Sequence, residues 1–188
     1  IDAHLEGSLS NVKNWNRSDA QLTAELQTHN LECVKKLLKT DGLELPAMKL
    51  TTKLVKKSNL YAAEAQLHES DGSVIVNGKA DVEKMTYEAR AEINEMKVDH
   101  FFPRDSVHSL SGGIEIKGNG TDFLSPKTSL SAKANLEDLQ YKKWTLNNVV
   151  MTANLHKGTG IIDFMSDNEL LKIHACTEAK IKRKISEA

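Results

Sequence analysis

Long apolar runs and aromatic side chains are scarce in this sequence. Aromatic residues make up 5% of the 188 residues. The longest apolar runs, such as 149–151 and 161–162, are far shorter than the roughly 20 residues that a membrane-spanning helix needs. We therefore expect no part of this chain to cross a bilayer as a helix, and the length and composition predict one domain.

Cysteine is nearly absent. Cys33 and Cys176 are the two cysteines of the chain, and their wide separation excludes the CxxC pairs of zinc and redox sites. A disulfide between them is one hypothesis, and two unpaired thiols are the favoured alternative.

Neither sign of charge dominates. Lysine and arginine number 25 against 26 acidic residues, and the formal net charge is −1. Because no large basic field is available to release counterions from a nucleic acid, we expect no nucleic-acid partner.

A leader segment is also lacking. The sequence begins with Ile1, and no charged-then-apolar stretch precedes the first strand-like segment. We therefore expect any targeting signal or membrane anchor to lie outside these residues.

Catalytic, metal and phosphate-binding motifs are missing as well. Gly118-Asn119-Gly120 is followed by Thr121 and Asp122 rather than by a helix, so a phosphate loop would lack its helix dipole. No GxSxG or P-loop pattern occurs. The histidines have no i, i+4 partner and no evident acidic neighbour, and His68, His156 and His174 are expected to face water. The histidines are His4, His29, His68, His100, His108, His156 and His174. The sequence predicts no enzyme, no metal and no cofactor; an enzymatic alternative requires residues of distant strands to converge.

What the sequence does contain is an alternation of apolar and polar residues with a period of two. In 128–137, Leu130, Ala132, Ala134 and Leu136 alternate with polar side chains, as in a strand with one buried face. The same pattern recurs along most of the chain, with Gly, Asn, Asp and Pro between the segments. It predicts an all-β protein with roughly ten strands in a meandering antiparallel sheet.

One segment has a helical period instead. From about 30 to 41, Leu31, Val34, Leu37 and Leu38 follow helical spacing, with Asn30 as the expected N-cap and Gly42 at the stop. We predict one short amphipathic helix that covers an end of the sheet, and a partner-binding helix is the weaker alternative.

Short stretches of the chain resemble one another. ADVEKMTY at 80–87 resembles ANLEDLQY at 134–141, and AQLHESDG at 65–72 resembles ANLHKGTG at 153–160. Since the two offsets differ, the repeating unit is one strand with its turn, and the sheet is expected to be extendable at either end. Chance similarity between alternating strands is the alternative.

The predicted apolar face is rich in alanine and poor in large side chains. One interpretation is close packing against a protein layer. The other is a curved sheet with an apolar trough, in which an acyl chain would gain about 0.8 kcal/mol per buried CH₂. The residues predicted to line this trough are Val74, Val76, Ala80, Val82, Tyr87, Ala89, Ala91, Ile93, Leu130, Ala132, Ala134, Leu136, Val149, Met151, Ala153, Leu155, Leu171, Ile173 and Ala175.

The run from Ile93 to Ile173 resembles the repetitive β-rich region of the AsmA-like, TamB-type translocation and assembly module proteins. The resemblance is carried by the INEMKVD strand with Phe101-Phe102-Pro103 after it, by Gly118 and Gly120, by the strand ending at Tyr141, and by ANLHKGTG…SDNELLKI. It extends over residues from about 60 to 182.

This resemblance implies a function that the spacing of apolar and polar residues alone does not indicate. Proteins of that family are anchored in the inner membrane of Gram-negative bacteria and cross the periplasm as a long, taco-shaped sheet with an apolar groove. They are associated with phospholipid transport to the outer membrane, outer-membrane biogenesis and protein secretion. We accordingly expect residues 1–188 to be one periplasmic β-groove fragment of a larger repeat protein, with phospholipid acyl chains as its ligand.

The resemblance also implies an outer-membrane β-barrel assembly partner, reached through a C-terminal region that this sequence lacks, and no catalytic residues. The alternative is a structural β-scaffold or adhesin-like repeat with a protein-filled core.

Overall fold

The fold is one open antiparallel sheet of twelve strands. The computed structural model describes residues 1–29, 46–101 and 107–180. The strands are β1 (Asp2–Ser10), β2 (Asp19–Thr28), β3 (Met48–Lys57), β4 (Leu60–Glu69), β5 (Gly72–Asp81), β6 (Thr86–Lys97), β7 (Val107–Asn119), β8 (Ser129–Tyr141), β9 (Trp144–Leu146), β10 (Val149–His156), β11 (Thr159–Asp167) and β12 (Lys172–Lys180). The predicted all-β antiparallel class is confirmed.

Strand order in the sheet follows chain order from β1 to β8 and continues through β10 to β12. β9 pairs with the last residues of β8, and β10 pairs with the earlier part of the same strand. β9 and β10 thus lie end to end, separated by Asn147 and Asn148, and Asn148 has a positive φ of 53°. Asparagine tolerates this conformation better than most residues, which accounts for the interruption.

The predicted helix at about 30–41 lies outside the described residues. Within the described ranges, the helical segments are the two short 3₁₀ turns Trp15–Arg17 and Val98–His100. The curvature expected of the sheet stays a prediction.

Large apolar side chains are almost never fully enclosed in this sheet. Met96 and Leu155 are the buried hydrophobic residues, and several of the other buried residues, such as Ser18 and Glu69, are polar. No second layer packs on the sheet within the described part of the chain. Most of the large apolar side chains lie on one face of a single layer rather than in an enclosed core.

Candidate functional site: an uncovered apolar face

The strand registers place apolar side chains on one face in four parallel rows that cross the sheet, and we call this surface the apolar face. On β8 the rows pass through Leu130, Ala132, Ala134 and Leu136. Residues directly opposite one another on paired strands project to the same side. The row through Ala134 consists of Leu5, Ala24, Thr52, Ala65, Val76, Ala91, Ile114, Ala134, Met151, Phe164 and Ala175.

The row through Ala132 has even smaller side chains. Glycine or alanine occupies more than half of its positions, so the surface between the larger residues is shallow. This row consists of Gly7, Leu22, Leu54, Ala63, Gly78, Ala89, Ile116, Ala132, Ala153, Ile162 and Thr177.

The apolar face is open to solvent across the middle of the sheet in the described ranges, whereas Lys56 and Leu155 of its outermost row are buried. Val76, Ile114 and Met151, which lie near the middle of the sheet, remain 40%, 42% and 44% exposed. Side chains of this size lose most of their exposure when another layer packs on them. The described residues therefore leave this face uncovered.

Most of the residues predicted to line the trough lie together on this face. Val82 and Leu171 do not, because β5 ends at Asp81 and β12 begins at Lys172; both lie in connections. The predicted residues on the apolar face are Val74, Val76, Ala80, Tyr87, Ala89, Ala91, Ile93, Leu130, Ala132, Ala134, Leu136, Val149, Met151, Ala153, Leu155, Ile173 and Ala175. Their contact with lipid stays a prediction.

A cleft of about 570 Å³ lies over β2 to β5 on the apolar face. Trp15, Leu22, Leu54, Tyr61 and Ala63 are among the residues that line it. Trp15 belongs to the connection between β1 and β2. This arrangement is suited to an apolar ligand.

Lys56 is a charged residue within the apolar rows, and sequence reasoning missed its role. It is only 5% exposed. Its Nζ donates hydrogen bonds to the carbonyl oxygens of Trp15 (2.7 Å) and Ser18 (2.9 Å) and to Ser18 Oγ (2.9 Å). It also lies 4.8 Å from the centre of the Trp15 ring and 5.5 Å from that of Tyr61. Two features of the sequence could have indicated this role. Lys56 occupies an apolar position in the alternation of β3, and the connection between β1 and β2 contains a tryptophan.

The opposite face, which we call the polar face, is mostly polar, although Ile75, Ile161 and Met165 also lie on it, and it carries cross-strand ion pairs. Lys79 lies 3.5 Å from Glu88, and Arg90 lies 3.6 Å from Glu115. Such pairs favour the observed register because a slip would bring like charges together.

A cleft of about 860 Å³ is lined by residues that include two complete rows of this polar face from β3 to β10. One row is Val55, Ala62, Lys79, Glu88, Lys117, Ser131 and Asn154, and the other is Lys57, Leu60, Asp81, Thr86, Asn119, Ser129 and His156. This concavity over the polar face is larger than the cleft over β2 to β5 on the apolar face.

Histidines in this sheet do have acidic neighbours, contrary to the sequence-based expectation. Nδ1 of His100 lies 2.6 Å from the fully buried Glu69. His174 and His29 each lie 2.9 Å from an aspartate, and His108 lies 3.2 Å from another. Pairing across strands and loops cannot be read from spacing along the chain. Among the residues that the structure describes, no three His, Cys, Asp or Glu side chains converge as metal ligands.

Cys176 is exposed on the edge strand β12, and Cys33 lies outside the described residues. In the described ranges no helix is both long and apolar enough to span a membrane.

Comparison of the chain with protein-family models, with curated proteins and with solved structures found no match. The resemblance to the AsmA-like family therefore rests on the residues quoted above.

Proposed function

We propose that this chain is a non-enzymatic β-sheet segment that carries phospholipid acyl chains between the inner and outer membranes of a Gram-negative envelope. In this proposal the segment belongs to a periplasmic, inner-membrane-anchored protein that also assists outer-membrane protein assembly. The observation that carries it is the apolar face, which continues across the sheet with no cover in the described residues.

An uncovered apolar surface of this extent is unusual on a folded protein and marks a site for an apolar partner. Scattered exposed apolar residues need no explanation, but here they form rows of direct cross-strand neighbours. The sheet thereby presents one continuous apolar surface instead of isolated side chains.

The small side chains favour an extended, flexible ligand. The rows through Ala132 and Ala134 leave shallow channels between the larger residues, and a CH₂ group buried there would contribute about 0.8 kcal/mol. About ten methylenes would contribute about 8 kcal/mol before the entropy costs of binding. This is enough to retain a lipid while allowing exchange.

The remaining parts of the proposal come from the resemblance. The periplasmic location, the membrane anchor, the curved shape of the sheet and the assembly partner are implied by the AsmA-like motifs. The polar face, with its ion pairs, would then face the aqueous periplasm.

The competing function is a structural scaffold whose apolar face is covered by another protein layer. Ala132 and Ala153 lie directly opposite each other on β8 and β10, and such small pairs also permit close packing of a second sheet.

A lipid analysis of the purified protein separates the two functions. The matched variants are Ala153→Glu and Thr152→Glu, since these adjacent half-buried residues of β10 project to opposite faces. We expect co-purified phospholipid in the wild type and in T152E. A153E should lose at least about 90% of it while keeping its β circular dichroism, because a buried charge is costly.

Two outcomes would count against lipid carriage. The first is a wild-type protein that contains no lipid and binds no apolar dye. The second is an A153E variant that unfolds while T152E stays folded, which would indicate a packed protein core.

A further inference from the structure

The two ends of the strands differ in charge. One end contains the connections 11–18, 58–59, 82–85, 120–128 and 157–158 together with the strand residues that flank them, and we call it the basic rim. Its connections carry Lys13, Arg17, Lys84, Lys127 and Lys157. Lys57 and Lys180 end β3 and β12 at the same rim.

The acidic side chains of the basic rim are engaged in local hydrogen bonds. Asp19 accepts from the backbone N–H of Ser58 (3.1 Å), and Asp122 accepts from that of Leu124 (3.0 Å). Glu83 accepts from the side-chain amide of Asn59 (2.9 Å). These carboxylates are thus held against the turns.

Asp81 is the fourth acid of the rim and is held in the same way. The backbone N–H of Lys84, together with that of Glu83, stabilises the carboxylate and keeps the pKa of Asp81 below its usual range. The side chain of Asp81 is only 14% exposed, while that of its partner Lys84 is 76% exposed.

The lysines, in contrast, extend into solvent. Within the described ranges, Lys13, Lys127 and Lys157 form no ion pair. Since the rim carries seven lysine and arginine residues and four acids, Asp19, Asp81, Glu83 and Asp122, it has a net positive charge.

Large apolar side chains project from the same connections. Trp15 is 56% exposed, Val12 is 66% exposed and Phe123 is 47% exposed. Val82, Met85 and Leu124 are exposed at this end as well. Exposed aromatic and aliphatic side chains beside basic residues suit the headgroup region of a bilayer.

The opposite end of the sheet differs in charge. Among its described residues, acids such as Asp71 and Glu169 outnumber the lysines, which are Lys97, Lys142, Lys143 and Lys172. An anionic surface would therefore attract the basic rim more strongly than the described residues of the other end.

We propose that the basic rim docks on an anionic lipid bilayer, with lysines on the lipid phosphates and with Trp15 and Phe123 in the interface. Trp15 also lines the cleft on the apolar face, so the docked rim places the open face next to the lipid. The inference goes beyond acyl-chain carriage, since a protein could dock in this way without removing a lipid.

Vesicle flotation with matched charge variants tests this inference. The probes are vesicles of phosphatidylcholine alone and of phosphatidylcholine mixed with phosphatidylglycerol. The rim variant is Lys13→Gln, Lys84→Gln, Lys127→Gln and Lys157→Gln. The control variant, which has the same net charge, is Lys49→Gln, Lys142→Gln, Lys143→Gln and Lys172→Gln.

We expect the wild type and the control variant to bind the anionic vesicles and to bind phosphatidylcholine weakly. A lysine at an anionic surface strengthens binding about fivefold, so the rim variant should bind at least about a hundredfold more weakly. In a Trp144→Phe background, Trp15 emission should shift to the blue on binding, and high salt should reverse the binding.

Equal losses in both four-lysine variants would overturn the proposal, as would a wild type that ignores anionic vesicles. The result is separable from that for lipid carriage. A153E tests the apolar face and should leave flotation unchanged, whereas the rim variant should keep its co-purified lipid.

Discussion

Gly112 lies in β7 where the pairing with β8 changes register. A Cβ built at this position would overlap the carbonyl oxygen of Asn135, which belongs to the backbone and cannot rotate away. Gly78, on the same face, would place its Cβ no closer than 3.7 Å to any neighbouring atom. The two glycines thus have different structural roles although both interrupt apolar rows.

Gly112→Ala is expected to lower the free energy of unfolding by about 1–3 kcal/mol, because the added methyl group forces β7 away from β8. Gly78→Ala should leave it unchanged or raise it by up to about 1 kcal/mol, since alanine restricts the unfolded chain. Urea denaturation followed by circular dichroism measures both. Similar losses in the two variants would mean that the close contact at Gly112 is not the cause.

Much of the residue-level arrangement follows from the alternation alone. Ala134 and Met151 lie on the same face, as predicted from their apolar places in the alternation of each strand. Side chains directly opposite each other on paired strands project to the same side. Val82 was assigned to that face although it lies in a turn, since alternation does not reveal where hydrogen bonding stops. The pairing of His100 with Glu69 depends on tertiary proximity, so no residue spacing in the sequence predicts it.

Among the elements, the connection between β1 and β2 has a specific attachment to the sheet. Lys56 of β3 reaches the carbonyl oxygens of Trp15 and Ser18 and holds the turn against the end of the apolar face. The neighbouring Lys57 projects to the other face and is exposed. These adjacent lysines allow the attachment to be tested with its own control.

Lys56→Met keeps most of the side-chain volume but removes the donors from these buried acceptors. We expect the free energy of unfolding to fall by about 1–3 kcal/mol, and Trp15 emission in a Trp144→Phe background to shift to the red. Lys57→Met should change the free energy of unfolding by less than about 0.5 kcal/mol. Equal effects of the two substitutions would show that Lys56 does not fix the turn.

Element boundaries were harder to predict than element type. The stretch 146–156 contains no glycine or proline that would divide it, yet the structure has the end of β9, a break at Asn148 and then β10. Asp71-Gly72 is a typical hairpin-turn pair, but the turn between β4 and β5 lies one residue earlier, because Ser70 has a positive φ of 50° and Gly72 already begins β5. Alternation gives strands their period, but the backbone conformation of single residues sets their ends.

At the scale of the whole molecule, the described sheet is a single layer in which each strand contacts its immediate neighbours. The residues of the edge strands β1 and β12 are all exposed, and extension of the sheet beyond them stays a prediction. In such an arrangement stability is close to a sum over neighbouring pairs, and no enclosed core links distant strands.

Hydrogen exchange should therefore vary across the sheet. The amides of β6 and β7 have hydrogen-bonded strands on both sides, and we expect them to exchange at least about a hundredfold more slowly than those of β1 and β12, which open locally. Mass spectrometry of peptic fragments resolves these strands. If β1 and β12 exchanged as slowly as β6 and β7, the edges would have to be covered in solution. A further layer or a second copy would then also be available to cover the apolar face, and the basis for proposing lipid carriage would be removed.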